Sequence, residues 1–267
     1  MAYEHILFEE ANGVATLTLN RPAQLNAMPT AMVAEMIHAL DRVRDDAREQ
    51  GRVRCLLLTG AGRAFSSGAD LAGGELFAGD GLPDTGRVIE THFNPLLERL
   101  LALPVPIVCA VNGAAAGAGC SLALAGDVVL GARSAYFLLA FVNIGLVPDV
   151  GATWLLPRLV GKARALGMMM LGERIKAEQA ADWGLIWKAV DDEALMTEAR
   201  AVAQKLAHGP TQALALIRQG VRASLETGLA DAMRMERDHQ RIAGRTADFA
   251  EGVQAFMDKR PARFEGK

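Results

Sequence analysis

The chain has 267 residues, 51% of them hydrophobic and 22% charged, with a formal net charge of −3. That hydrophobic share supports a large core and excludes an intrinsically disordered chain. The slight negative charge removes any general attraction to nucleic acid or an anionic membrane surface.

Two short strands open the reading, Ile6–Glu9 and Val14–Leu19, joined by the turn Ala11-Asn12-Gly13. The acids in M-A-Y-E-H-I-L-F-E-E and its strand-like alternation fit neither a secretory leader nor a transit peptide. A helix follows over Thr30–Arg48, with Met32, Met36, Ile37, Leu40 and Val43 near helical spacing and Thr30 as its expected N-cap. Val53–Thr59 reads as a buried strand running into the turn-rich Gly60–Gly68, and Ala72–Gly86 as a pocket-lining loop. A helix is expected over Arg87–Leu101, then strands at Val128–Gly131 and Tyr136–Phe141.

Beyond Val150 the pattern is helical: Val150–Leu159, Lys162–Leu171, Ala177–Trp183, Glu193–Ala207, Thr211–Leu225, Leu229–Ala243 and Thr246–Asp258, interrupted by one strand at Leu185–Val190. Trp154, Trp183 and Trp187 read as core residues. Strands mixed with helices followed by a helical tail suit an α/β core over residues 1–195 and a helical C-terminal region over 196–267. No apolar run is long enough to span a bilayer. Cys55, Cys109 and Cys120 lie in or beside apolar segments and fit neither a disulfide framework nor a zinc spacing, so a reduced, cytoplasmic setting without a metal is expected.

The most informative stretch is P-I-V-C-A-V-N-G-A-A-A-G-A-G at Pro106–Gly119, followed by C-S-L-A-L-A-G-D. A β-branched run ends in a loop of Gly, Ala and Asn, and a helix begins at once. Such a loop lets a ligand reach the backbone, and the free N–H groups of a helix start can face a negative oxygen. A dinucleotide site fits poorly: the third glycine of G-x-G-x-x-G is missing, and Tyr136 and Phe137 stand where a ribose-binding acid belongs. A second small-residue loop, G-R-A-F-S-S-G-A-D-L at Gly62–Leu71, also follows a strand. Two such loops can each give one N–H to a shared oxygen, as acyl chemistry requires; two ordinary surface loops remain the alternative.

Asp149, in Pro148-Asp149-Val150-Gly151, has Ile144, Leu146, Val147 and Val150 for neighbours. It reads either as a helix cap or as a desolvated carboxylate able to give and take a proton. Asp70 reads as a loop-fixing acceptor, Arg21 and Lys259 as surface charges, and Cys120 as a small buried filler. None of the five histidines forms a recognisable motif with Ser66 or Ser67, which argues against a Ser–His nucleophile. The basic cluster Arg42, Arg44 and Arg48 is interleaved with Asp41, Asp45, Asp46 and Glu49, as on a solvated helix face.

The phrases L-N-R-P-A-Q-L-N-A, G-R-A-F-S-S-G-A-D-L, V-N-G-A-A-A-G-A-G-C-S-L-A-L-A-G-D, I-G-L-V-P-D-V-G-A-T-W-L-L-P-R and G-V-Q-A-F-M-D-K-R-P-A-R-F occur in the order seen in the crotonase (enoyl-CoA hydratase/isomerase) superfamily. The resemblance covers essentially the whole chain. It implies an α/β fold, a ClpP/crotonase-like spiral of ββα units with a helical C-terminal trimerisation region, in trimers or dimers of trimers. It implies an acyl-CoA thioester as substrate, with coenzyme A part of that substrate rather than a cofactor; the charge balance and the short apolar runs give the expectation of no nucleic-acid or membrane partner.

By resemblance, the backbone N–H groups of Ala69 and Ala118 form an oxyanion hole. Ser67, Gly68, Ala69, Asp70, Leu71, Gly117, Ala118 and Phe141 surround the substrate. Phe256 and Lys259 reach the nucleotide end of coenzyme A in a neighbouring subunit. The family's hydratases carry glutamates where this chain has Ser121 and Phe141, and neither residue can act as a carboxylate. Family isomerases place one acid at the position of Asp149. The resemblance therefore favours a CoA-thioester isomerase, shifting a double bond or rearranging a ring epoxide. A hydratase or thioester hydrolase is the enzymatic alternative, and an RNA-binding or non-catalytic homologue the non-enzymatic one.

Overall fold

A computed structural model describes residues 3–71 and 84–267. The chain starts with a hairpin, β1 (Ile6–Ala11) and β2 (Val14–Leu19), whose register pairs Ala11 with Val14. The two-residue turn needs left-handed backbone at both positions, and Asn12 (φ 51°) and Gly13 (φ 80°) provide it. The helix α1 (Thr30–Glu49) buries Met32, Val33, Met36, Ala39, Leu40 and Val43 on one side. Thr30 is its first helical residue rather than its cap, because Pro29, with no N–H to satisfy, occupies the cap position.

Three consecutive units then repeat one path. β3 (Cys55–Gly60), β5 (Ile107–Val111) and β7 (Val128–Ala132) lie side by side, parallel, in one sheet. Their successors β4 (Ala64–Ser66), β6 (Ala114–Ala116) and β8 (Tyr136–Leu138) lie side by side, parallel, in a second. Each pair leads into helix: α2 (Thr85–Val88) with α3 (Asn94–Ala102), then α4 (Ala118–Leu124), then α5 (Ala152–Leu171). This is a spiral of ββα turns. Among the described residues the larger sheet runs β1-β2-β3-β5-β7-β10 and the smaller β4-β6-β8-β9, where β9 is Ile175–Lys176 and β10 is Lys188–Val190. Every residue of β5 is buried, as expected of a central strand covered on both faces.

The remaining helices are α6 (Ala177–Asp182), α7 (Leu195–Ala207), α8 (Thr211–Ser224), α9 (Leu229–Ala243) and α10 (Ala247–Met257). α7 buries Leu195, Ala199, Ala203 and Ala207. Neither α8 nor α9 buries a side chain, and Ile217, Val221, Leu229 and Met233 stand exposed along them. No helix among the described residues is long and apolar enough to cross a membrane.

Several local expectations are corrected. The apolar run at Tyr136–Phe141 leaves the sheet after Leu138 and becomes a 3-10 turn at Ala140–Ile144, closed by Gly145 at φ 72°. The helix expected from Arg87 begins at Thr85 and contains a π turn at Ile89–Phe93. Asn94-Pro95 explains the π turn: Pro95 has no N–H for the carbonyl four residues back, and the Asn94 N–H reaches the Ile89 carbonyl instead. Of the loop expected at Ala72–Gly86, residues 72–83 lie outside the described residues. Trp154 and Trp183 are half-buried against the core, but Trp187 is 74% exposed although its N–H donates to the Val129 carbonyl of β7. α5 is broken at Gly161 (φ 75°), where the pattern had suggested two helices.

Candidate active site

The first wall of the site is built by the segment Arg21–Met28. A 3-10 turn at Pro22–Gln24 and two left-handed residues, Leu25 and Asn26, fold it tightly. The buried Asn26 side chain donates to the carbonyls of Ala61 (2.9 Å) and Ala64 (2.8 Å) and accepts from the Arg21 N–H (2.8 Å). Arg21 is therefore not a free surface charge. Its guanidinium donates to the Ala27 carbonyl (2.6 Å) and pairs with Asp70 (2.8 Å), which fixes the end of the Ser67–Leu71 loop. Ser66 is buried. Its hydroxyl donates to the Asn26 carbonyl (2.8 Å) and accepts from the Gly68 N–H (3.1 Å), so it is structural.

Met28 then bonds on both sides of Ala69: the Met28 N–H donates to the Gly68 carbonyl (2.8 Å) and the Asp70 N–H to the Met28 carbonyl (3.0 Å). Extended backbone alternates the direction of its polar groups, so the Ala69 N–H faces away from Met28. It donates to no acceptor among the described residues. The second wall is the turn into α4. Gly117 caps that helix at φ 52°, ψ −130°, a conformation open to glycine. The N–H of Ala118, first in the helix, also has no acceptor among the described residues.

The two turns touch. A Cβ on Gly68 would lie 2.9 Å from the Ala116 carbonyl oxygen and 3.3 Å from the Ala118 nitrogen. Glycine at that position lets the loops close together. Gly119 does the same beneath them, since a Cβ there would lie 2.7 Å from Ser66.

Both turns open on a cavity of about 270 Å³ lined by Ser67, Gly68, Ala69, Leu71, Gly117, Ala118, Phe141 and Asp149. Thr85, Val88, Ile89, Phe93, Ala140, Asn143, Ile144, Leu146 and Val147 also line it. Among the described residues, Asp149 is its only ionisable side chain. Its Oδ1 is buried without a hydrogen-bond partner among the described residues, and its pKa is pushed up from 3.8 to about 6, chiefly by desolvation. It is no side-chain cap: Gly151 holds the cap position of α5. Of the apolar neighbours in sequence, Val150 is buried, while Ile144, Leu146 and Val147 are exposed and line the cavity.

Asp70 lies behind its loop, outside the cavity lining. Phe256, 82% exposed, and Lys259 are also outside that lining. Ser121 is buried beneath the site and donates to the Asp149 carbonyl (3.0 Å). Cys120 is buried with its thiol pushed up to about 12, which suits a filler rather than a nucleophile. Thr85 falls within the loop read as pocket-lining, but the wall formed by Ile89 and Phe93 was missed in the sequence. Its one signal was the Asn-Pro pair that shapes the π turn.

Paired sheets, two facing backbone turns and the partly buried Asp149 thus meet at one cavity. The chain belongs to the enoyl-CoA hydratase/isomerase family, whose model matches residues 9–267. It is 50% identical to the 1,2-epoxyphenylacetyl-CoA isomerase of Escherichia coli over 99% of both chains. It is 47% identical, over the full length of both, to a Rhodobacter capsulatus protein named probable enoyl-CoA hydratase. Among solved structures, the enoyl-CoA hydratase of Bacillus anthracis superposes with a TM-score of 0.90 at 30% identity, covering 99% of this chain and 100% of that one.

Proposed function

We propose that the protein is an acyl-CoA isomerase in which Ala69 and Ala118 hold the thioester oxygen and Asp149 moves the proton. The observation that carries this reading is the convergence of two unbonded backbone N–H groups and one desolvated carboxyl on a single apolar cavity. For a 3-enoyl thioester, the Asp149 carboxylate takes a proton from the carbon next to the carbonyl. Negative charge moves to the thioester oxygen, where the two N–H groups stabilise the dienolate. The protonated Asp149 then returns the proton two carbons further along. A pKa near 6 suits an acid that must be a base in one half of the cycle and an acid in the other. The proton transfers balance within the substrate and call for no metal or redox partner.

The relative from Escherichia coli suggests the ring-epoxide thioester of phenylacetyl-CoA as a second substrate of the same cavity. Phe93, Ile89, Val88 and Phe141 offer a ring apolar walls, and no cation among the described lining residues would pair with a charged acyl group. Hydration is the weaker reading. The residues at the hydratase glutamate positions are Ser121, whose hydroxyl is directed at a carbonyl, and Phe141, an apolar wall. Ser67, Gly68, Leu71 and Gly117 are the backbone frame of the substrate site. Asp70 acts through Arg21. Phe256 and Lys259 would serve a neighbouring subunit's coenzyme A in a homotrimer or dimer of trimers, with residues 196–267 as the assembly region.

Incubation with 3-enoyl-CoA esters and with the ring epoxide, read by absorbance and mass, tests the reading. Isomerisation leaves the mass unchanged, hydration adds one water, and hydrolysis releases a free thiol. Hydration of crotonyl-CoA at a rate comparable to isomerisation overturns the proposal.

A further inference from the structure

We infer that Ser121 is a positioning residue that holds the Asp149 carboxyl in place by binding that residue's own backbone carbonyl. The inference rests on the reading of Asp149 as the proton carrier. Little but its own residue's backbone holds the carboxyl: its hydrogen bond is to the Asp149 main chain, and Oδ1 is buried and unpartnered among the described residues. Its direction must come from the backbone that carries it, and that backbone is strained. Val150 sits at φ 49° and Gly151 at φ 72°, two left-handed residues in succession. A β-branched residue in that region is a genuine outlier and persists only where its surroundings impose it.

Three contacts impose it. The Val150 side chain is buried in the core, which fixes where the turn must bend. The Ala152 N–H donates to the Asp149 carbonyl at 3.0 Å. The Ser121 hydroxyl donates to the same oxygen, also at 3.0 Å, from a helix twenty-eight residues earlier in the chain. The last crosses from the oxyanion turn to the acid-bearing turn. Ser121 lies in the first turn of α4, one helical step after Ala118, and its N–H donates to the Gly117 carbonyl at 3.2 Å. One small side chain thus links the element that presents the oxyanion donor to the element that presents the acid. A serine hydroxyl has one proton to donate, and here the closer acceptor is the Asp149 carbonyl, since Gly117 O lies at 3.5 Å.

Loss of the hydroxyl should let the turn relax and admit water to the carboxyl. Among the described residues, no ionisable side chain other than Asp149 lines the cavity. On the same helix Cys120 remains a thiol. A change in the acid limb of the pH profile therefore reports on the surroundings of Asp149.

The experiment compares the wild type with Ser121→Ala, Ser121→Cys, Ser121→Thr and Asp149→Asn, each checked by circular dichroism, on a 3-enoyl-CoA ester. Ser121→Cys keeps the volume with a weak donor, so it stands in if the alanine variant does not fold. Expected is a fall in kcat of about 10- to 10²-fold for the Ala and Cys variants, the scale of a misplaced catalytic group, with KM within roughly twofold since uniform binding is untouched. Expected too is a move of the acid limb of kcat/KM below its wild-type position near pH 6, with restoration of both by Ser121→Thr. Wild-type kcat and an unmoved acid limb in a folded Ala or Cys variant, with Asp149→Asn inactive, overturn the positioning role alone. Full activity in Asp149→Asn overturns the acid–base reading and this inference with it.

Discussion

Asp149→Asn should make the protein more stable while making it inactive. The carboxyl has an ordinary pKa of 3.8 and is raised to about 6 by burial. Below pH 3.8 it is protonated in folded and unfolded chains alike. As pH rises from 3.8 through 6, the unfolded chain loses the proton first, so the folded state loses stability across that window. The gap between 3.8 and about 6 corresponds to about 3 kcal/mol at pH 8 and roughly half of that at pH 5. Asparagine removes the charge but keeps a polar group in the same dry site, so the net gain at pH 8 should be about 1–3 kcal/mol. For a chain of this size that is a rise in Tm of roughly 2–10 °C. Thermal denaturation of wild type and variant at pH 5 and pH 8 measures it, and turnover should fall about 10²–10⁴-fold in the same preparation. A variant with no gain at pH 8, or with equal gains at both pH values, would refute the desolvation argument.

Other outcomes follow from the backbone of the site. Ala118→Pro removes one proposed oxyanion donor and should cost about 10²–10³ in kcat, whereas Ala118→Gly should be mild; a folded proline variant with full activity places the hole elsewhere. Gly68→Ala puts a Cβ 2.9 Å from the Ala116 carbonyl at φ 100°, so it should destabilise by about 1–3 kcal/mol in urea denaturation and lower kcat by parting the two turns. Lys259→Ala should raise KM for the CoA ester with kcat little changed, and light scattering should find a trimer or its multiple; a monomer with unchanged KM would remove the neighbouring-subunit role.

The hairpin, α1 and both glycine loops were legible because each depends on local chemistry: Asn12-Gly13 in a left-handed turn, an apolar stripe, a strand broken by glycine. The second sheet was largely hidden. Its strands β4, β6 and β8 have three residues each, too short for alternation to register, and two of them lie inside the loops read as turns. Asp149 stood out in the sequence, but its support did not. The contact with Ser121 spans twenty-eight residues and uses a carbonyl, which every residue has. The Arg21–Asp70 pair spans forty-nine and depends on a left-handed Leu25-Asn26 fold that neither residue type announces.

The two N–H groups proposed as oxyanion donors belong to the main chain, and that bears on how such a site can change over generations. A side-chain substitution at Ala69 or Ala118 leaves the N–H in place unless it is proline, so the electrostatic half of the site is nearly silent to point mutation. The acid is a single side chain that one base change can abolish. Drift in a gene for this scaffold therefore alters which proton is moved long before it alters how the thioester is gripped. New activities can be sampled from the carboxyl side without rebuilding the anion site.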